Sequence, residues 1–154
     1  MAVLVAWQML KFFDRIDEGE HWVGQNLVSW HITIGTVILL VVVLRLFWAA
    51  CRENPPSTLM PITSMLARIG HFLLYAGMVL LPITGILFMI GNGYGFGFLG
   101  MQLVAEGPEV PWMIAVGGLH SPIAWLLLIM VIGHAGMALV HHFVKKDGVL
   151  RRML

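Results

Sequence analysis

The chain has 154 residues, of which 59% are hydrophobic and 11% charged, and its mean hydropathy is +0.88. Such a composition excludes a water-soluble globule and places the chain among integral membrane proteins of one domain, residues 1–154. A net charge of +1 says nothing of nucleic acid and no basic run interleaved with aromatics points to such a partner, so none is expected, while the single cysteine, Cys51, excludes an intramolecular disulfide framework or a multi-cysteine metal site.

Residues 1–13, MAVLVAWQMLKFF, are apolar but begin without a basic flank. Thirteen helical residues cover about 20 Å of a hydrocarbon core about 30 Å thick. The stretch reads as the outer part of a first membrane helix whose inner part is missing, the alternative being a short interfacial helix. Asp14, Asp17, Glu18 and Glu20 follow in an acidic extramembrane loop, where His21 reads as solvated. A second span is expected over about 26–50, with His31 early and Arg45 late, fourteen residues apart. The turn-forming ENPPSTLMP then reverses the chain. A third span is expected over about 64–90, with Arg68 and His71 at its start, and Pro82 and Gly85 predict a kink.

The glycine-rich GNGYGFGFLG, residues 91–100, lacks the Lys-Ser/Thr ending of a phosphate loop and follows a membrane helix instead of a strand. It reads as a flexible loop with aromatics at the membrane interface. A fourth span is expected over about 117–143, GGLHSPIAWLLLIMVIGHAGMALVHHF, carrying His120 and His134, again fourteen apart. At 100° and 1.5 Å per residue, fourteen steps return to within about 40° of the starting direction and advance roughly 21 Å. Both imidazoles therefore lie on one stripe of one helix, near opposite edges of the membrane. His141 and His142, beside Lys145 and Lys146, read as interfacial, and the eleven methionines as gap-fillers.

Seven of the nine lysines and arginines (45, 52, 68, 145, 146, 151 and 152) fall on one side of these spans, leaving Lys11 and Arg15 on the other with six of the eight acids. The positive-inside rule makes the basic side, with the C-terminus, cytoplasmic. Trp30 and Trp112 near the outer edge and Trp48 near the inner one fit aromatic belts. The expected fold is all-α, a four-helix membrane bundle with an incomplete first helix.

In that topology His31 and His120 lie at similar depth near the outer edge and can face each other across the bundle. An ionisable side chain buried in hydrocarbon is costly unless satisfied. A hydrogen bond to a backbone carbonyl would satisfy one histidine; three at matching depths favour metal ligation. Zinc would call for further carboxylate or thiolate ligands, which these spans lack near the histidines. Facing imidazoles in an apolar bundle suit a haem, whose four equatorial ligands come from the porphyrin.

From about Trp22 onward the chain resembles the bacterial cytochrome b561 family and its relatives, the cytochrome b subunits of hydrogenases and formate dehydrogenases. The resemblance rests on SWHITIG at the start of the second span, LARIGHFLLYAGMVLLPITG in the third, LHSPIAW and IGHAGMALVHH in the fourth, and the closing HHFVKKDGVLRRM. It implies two b haems stacked across the membrane, with His31 and His120 on the outer iron and His134 on the inner. The family's partner for His134 is a histidine near the start of the first helix, and this chain lacks it. The outer haem is therefore complete. For the inner haem the alternatives are a start further upstream, a five-coordinate iron, no haem, or another ligand, for which His71 is the intramembrane substitute.

His71 otherwise reads as a residue of the inner haem or of a quinone pocket, or as a helix-end cap. Arg45, at the depth of His134, would pair with a haem propionate or snorkel to the cytoplasmic interface. The resemblance implies a carrier in the cytoplasmic (inner) membrane that passes electrons between a partner or small outer-side reductant, including superoxide, and the quinone pool, with ubiquinone as a candidate cofactor. An alternative is the membrane-anchor subunit of a larger dehydrogenase or hydrogenase. A non-redox transporter using histidines as a relay is a third reading, disfavoured by helix interiors without acids.

Overall fold

The computed structural model describes residues 21–52 and 61–145, with side chains from 29 and from 64 onward in those two segments. The incomplete first helix expected over residues 1–13, the reversing turn over 53–60 and the basic tail beyond Lys145 lie outside the described residues. Among the described residues, three helical segments are long and apolar enough to cross a membrane: Ser29–Cys51, Ser64–Gly91 and Pro111–Lys145. The first belongs to α1, His21–Cys51, and the second to α2, Pro61–Gly91. The third comprises α3, Pro111–Gly117, then α4, His120–Leu139, which widens into a π-helical turn over Val140–Lys145.

Most apolar side chains on these helices are exposed, among them Leu44, Phe47, Phe72, Ile129 and Ile132. That distribution suits helices bathed in lipid, where apolar side chains gain nothing by turning inward. The described core is correspondingly small: Ile38 and Val42 of α1, Leu127 of α4, Phe96, and the polar Thr84 of α2.

Helix association in lipid depends on close approach at small residues, and glycines supply it here. A Cβ on Gly77 of α2 would lie 2.9 Å from Leu127 Cδ1 of α4, and one on Gly91 would lie 2.7 Å from Met113 Cβ of α3. At Gly117, which is buried, a Cβ would come within 2.6 Å of the Phe88 Cα. The α3–α4 junction is thus pressed against the C-terminal half of α2. The apolar run of the fourth span starts with a separate short helix because Pro111 opens one turn, being suited to the first helical position, and Gly118 and Leu119 interrupt it before His120.

The segment expected as a flexible loop after residue 90 is ordered by its own turns. Asn92 and Gly93 close α2: Asn92 Nδ2 donates to Phe88 O at 2.8 Å, and the Gly93 N–H donates to Ile90 O at 3.0 Å with φ of +78°, the left-handed geometry of a helix C-terminus. Strands β1, Phe96–Phe98, and β2, Met101–Val104, then form an antiparallel hairpin in which Phe98 pairs with Met101 and Phe96 with Val104. Its two-residue turn has positive φ at both Leu99 (50°) and Gly100 (80°), the combination whose twist matches paired strands. Alternation of aromatics with glycine in YGFGF hides the strand signal, since glycine is depleted in strands.

Gly117→Ala should lower stability by about 1–3 kcal/mol, as overpacking at a close contact does. Gly133→Ala, with nothing within 4 Å of the new methyl, should leave stability unchanged; thermal melting in detergent compares the two.

Candidate functional site

Two pairs of histidine rings meet between the spans. His31 of α1 and His120 of α4 have ring centroids 5.9 Å apart with planes at 74°. His71 of α2 and His134 of α4 have centroids 5.3 Å apart with planes at 67°. Since His120 and His134 are fourteen residues apart on one span, the pairs lie about 21 Å apart along it by helix rise. The same interval recurs in α2, where Gly85 at the outer level is fourteen residues from His71 at the inner one, and in α1, between His31 and Arg45. Halfway between the levels stand Ile38, Met78 and Leu127, one from each helix. An apolar layer therefore separates the two imidazole pairs.

Pro82 seats the outer pair. Lacking an N–H, it leaves the Met78 carbonyl without its helical partner and loosens that turn of α2. In this turn the Leu81 carbonyl accepts a hydrogen bond from His120 Nδ1 at 2.8 Å. A carbonyl only accepts, so Nδ1 carries the proton and Nε2 presents its lone pair. The Thr84 hydroxyl, buried beside them, donates to Leu80 O and Leu81 O, 2.9 Å from each, and its oxygen sits 3.4 Å from the same His120 nitrogen. Gly85 completes the seat: a Cβ there would be 2.9 Å from His120 Cε1 and 3.0 Å from Nδ1. A histidine held by one ring nitrogen has both its tautomer and its ring direction fixed.

A cavity of about 230 Å³ adjoins this pair, lined by residues that include His31, Gly35, Pro82, Gly85, His120 and Leu127, with Phe96 of the hairpin reaching into its wall. No charged side chain lines it, and the Thr36 hydroxyl is turned back to Ile32 O at 2.8 Å. Two imidazoles on one metal, with metal–nitrogen bonds of about 2 Å, hold their centroids about 6 Å apart. The 5.9 Å outer pair in its apolar cavity thus fits a flat, hydrophobic, metal-centred group. Among the described residues no cluster of three or more His, Cys, Asp or Glu occurs. The donor set is therefore imidazole pairs, which suits a metal that brings its own equatorial ligands.

The inner level is more polar. Arg45 Nε donates to the Tyr75 hydroxyl at 2.8 Å, and Tyr75 stands one turn from His71 on the same face of α2. The structure thus brings His31 to His120 and His71 to His134, and joins Arg45 to Tyr75. Sequence reasoning missed Tyr75, Thr84 and the Leu81 carbonyl, and saw in Gly85 only a kink. Gly85 and Tyr75 had a legible signal in their spacing from His71, fourteen and four residues. A backbone carbonyl has none.

Several apolar spans carrying stacked imidazole pairs define a membrane cytochrome of the b type. A family model described as prokaryotic cytochrome b561 matches residues 1–154, and the chain belongs to that family. It is thereby a haem b protein of membrane electron transport. Similar proteins include cytochrome b561 homolog 2 of Escherichia coli (strain K12), 32% identical over 132 residues that cover 80% of this chain and 68% of the relative. Homolog 1 of the same organism is 32% identical over 103 residues, 65% of this chain and 55% of the relative. The probable superoxide oxidase CybB of Yersinia pestis is 28% identical over 161 residues, 100% of this chain and 88% of the relative.

Gly85→Ala should push the His120 ring off the Leu81 carbonyl and lower the bound haem per protein, whereas Gly70→Ala, with open space around its new methyl, should retain the wild-type ratio. Absorbance of the purified variants, normalised to protein, measures both.

Proposed function

We propose that the protein is a two-haem electron carrier of the bacterial inner membrane, with His31 and His120 as axial ligands of an outer haem b and His134 as a ligand of an inner one. His71, facing His134, and Arg45 complete the inner site. The whole chain acts as one membrane domain, and the C-terminus is cytoplasmic. The observation that carries this reading is the stacking of two imidazole pairs, 5.9 and 5.3 Å between centroids, at opposite levels of the same helices.

Bound haem iron supplies reversible one-electron chemistry. The chain's residues supply the rest. The Leu81 carbonyl keeps His120 in the tautomer that offers Nε2. The apolar layer of Ile38, Met78 and Leu127 excludes water between the two levels and holds them at a constant separation. Arg45 places positive charge beside the inner level, where the carboxylate of a haem side chain would offset the cost of its burial.

Electrons arrive one at a time from a partner subunit or a small reductant on the outer side and leave to the quinone pool, where a quinone takes up two electrons and two protons to become a quinol. The probable superoxide oxidase of Yersinia pestis among the relatives supports a small outer-side reductant, and ubiquinone is the candidate acceptor. The acidic stretch over residues 14–20 would not attract an anion to that face.

Purified protein reduced with dithionite should show the sharp α-band of six-coordinate b haem, and a colourless, haem-free preparation would refute the reading. His31→Ala and His120→Ala should each remove the same haem signal, and His134→Ala the other. Retention of both signals in any of the three would overturn the assigned ligands.

A further inference from the structure

Arg45 is the one arginine of α1; it lies six residues before the helix ends at Cys51, within the span Ser29–Cys51, and its side chain is exposed. A guanidinium has five N–H donors and no acceptor, and in a membrane span each unmet donor is costly. One donor is met, by the Tyr75 hydroxyl at 2.8 Å. The acids among the described residues are Glu106 and Glu109, both on the loop that follows the outer end of α2. At the inner end, among the described residues, no carboxylate is available to the other four donors.

The hydrogen bond uses Nε, the donor on the stem of the guanidinium. Both terminal nitrogens are left for one further ligand, and an Nε held from another helix fixes the plane in which they lie. The Tyr75 oxygen, accepting from Arg45, keeps its own proton to donate. One turn away on α2 is His71, whose ring meets that of His134. A rigid planar fork and a phenol donor thus stand together within a turn of the inner imidazole pair, drawn from two different helices.

Such a fork matches a carboxylate in shape and charge. We infer that Arg45 and Tyr75 form a carboxylate clamp for a propionate of the inner haem, in which Tyr75 is the positioning residue that holds the Arg45 guanidinium in place. The inference rests on the two-haem reading above and assigns Tyr75 a role there. Neutralising a propionate next to the iron favours the reduced state, because the electron then enters a site with less negative charge. Tyr75 therefore sets the potential of one haem of the two, and does so through Arg45.

Redox titration of the full-length protein in detergent, followed by absorbance, tests this. The inner haem is identified as the component lost in His134→Ala, and the outer as the one lost in His120→Ala. Tyr75→Phe should lower the inner midpoint potential and make it more dependent on pH between 6 and 8, leaving the outer potential unchanged. Arg45→Lys keeps the charge but loses the fork and the Nε donor. It should lower the inner potential likewise, and adding Tyr75→Phe to Arg45→Lys should give no further shift. The clamp is overturned if both potentials in Tyr75→Phe equal those of wild type, if the outer potential is the one that moves, or if the two substitutions shift the inner potential additively. Arg45 merely reaching to lipid headgroups would give the first of these results. A protein that binds no haem overturns the two-haem reading and the clamp with it.

Discussion

The His120–Leu81 hydrogen bond is the contact on which the arrangement depends. An imidazole buried between helices in hydrocarbon has two nitrogens to satisfy, and water is not there to satisfy either. Giving Nδ1 to a carbonyl of α2 settles one of them and leaves the other with a defined direction. The ring reaches that carbonyl because Gly85 offers no side chain to hold it away. Thr84 returns its hydroxyl to the turn that carries the carbonyl, so its own buried polar group is satisfied within α2.

A common fourteen-residue interval runs through all three spans, and the helices divide the work differently at its two ends. At the outer level α1 gives a histidine and α2 gives a glycine and a carbonyl. Inside, α2 gives the histidine and α1 an arginine. The fourth span gives a histidine at both. Ile38, Met78 and Leu127, all apolar, stand seven residues from either level. Because rise per residue is constant in a helix, one interval repeated in three helices holds both sites in register however the helices tilt together.

Sequence reasoning reached the spans and all four paired histidines because lipid demands continuous apolar runs, against which each ionisable residue stands out. It paired His31 with His120 from depth alone, and the rings do meet. For His134 depth gave no partner with the same clarity, since His71 lies at the start of its span, where a capping or interfacial role is equally compatible with the sequence. The Arg45–Tyr75 contact was hidden for a related reason: tyrosine in an apolar helix looks like any other aromatic until the helix beside it is placed. Alternating glycine and aromatic residues concealed the hairpin, whose strands exist because Leu99 and Gly100 take a turn that no composition reveals.

By itself, then, the amino-acid sequence determined the membrane class, the three described spans, the depth of each histidine and the stripe it occupies, since these follow from apolar run length and helical period, which are local properties. Which rings face one another, which carbonyl holds His120 and what accepts from Arg45 were decided by the tertiary structure alone. Those contacts depend on how each helix is rotated about its axis, and in lipid that rotation is set by where glycines permit close approach and not by any one segment's pattern of apolar residues.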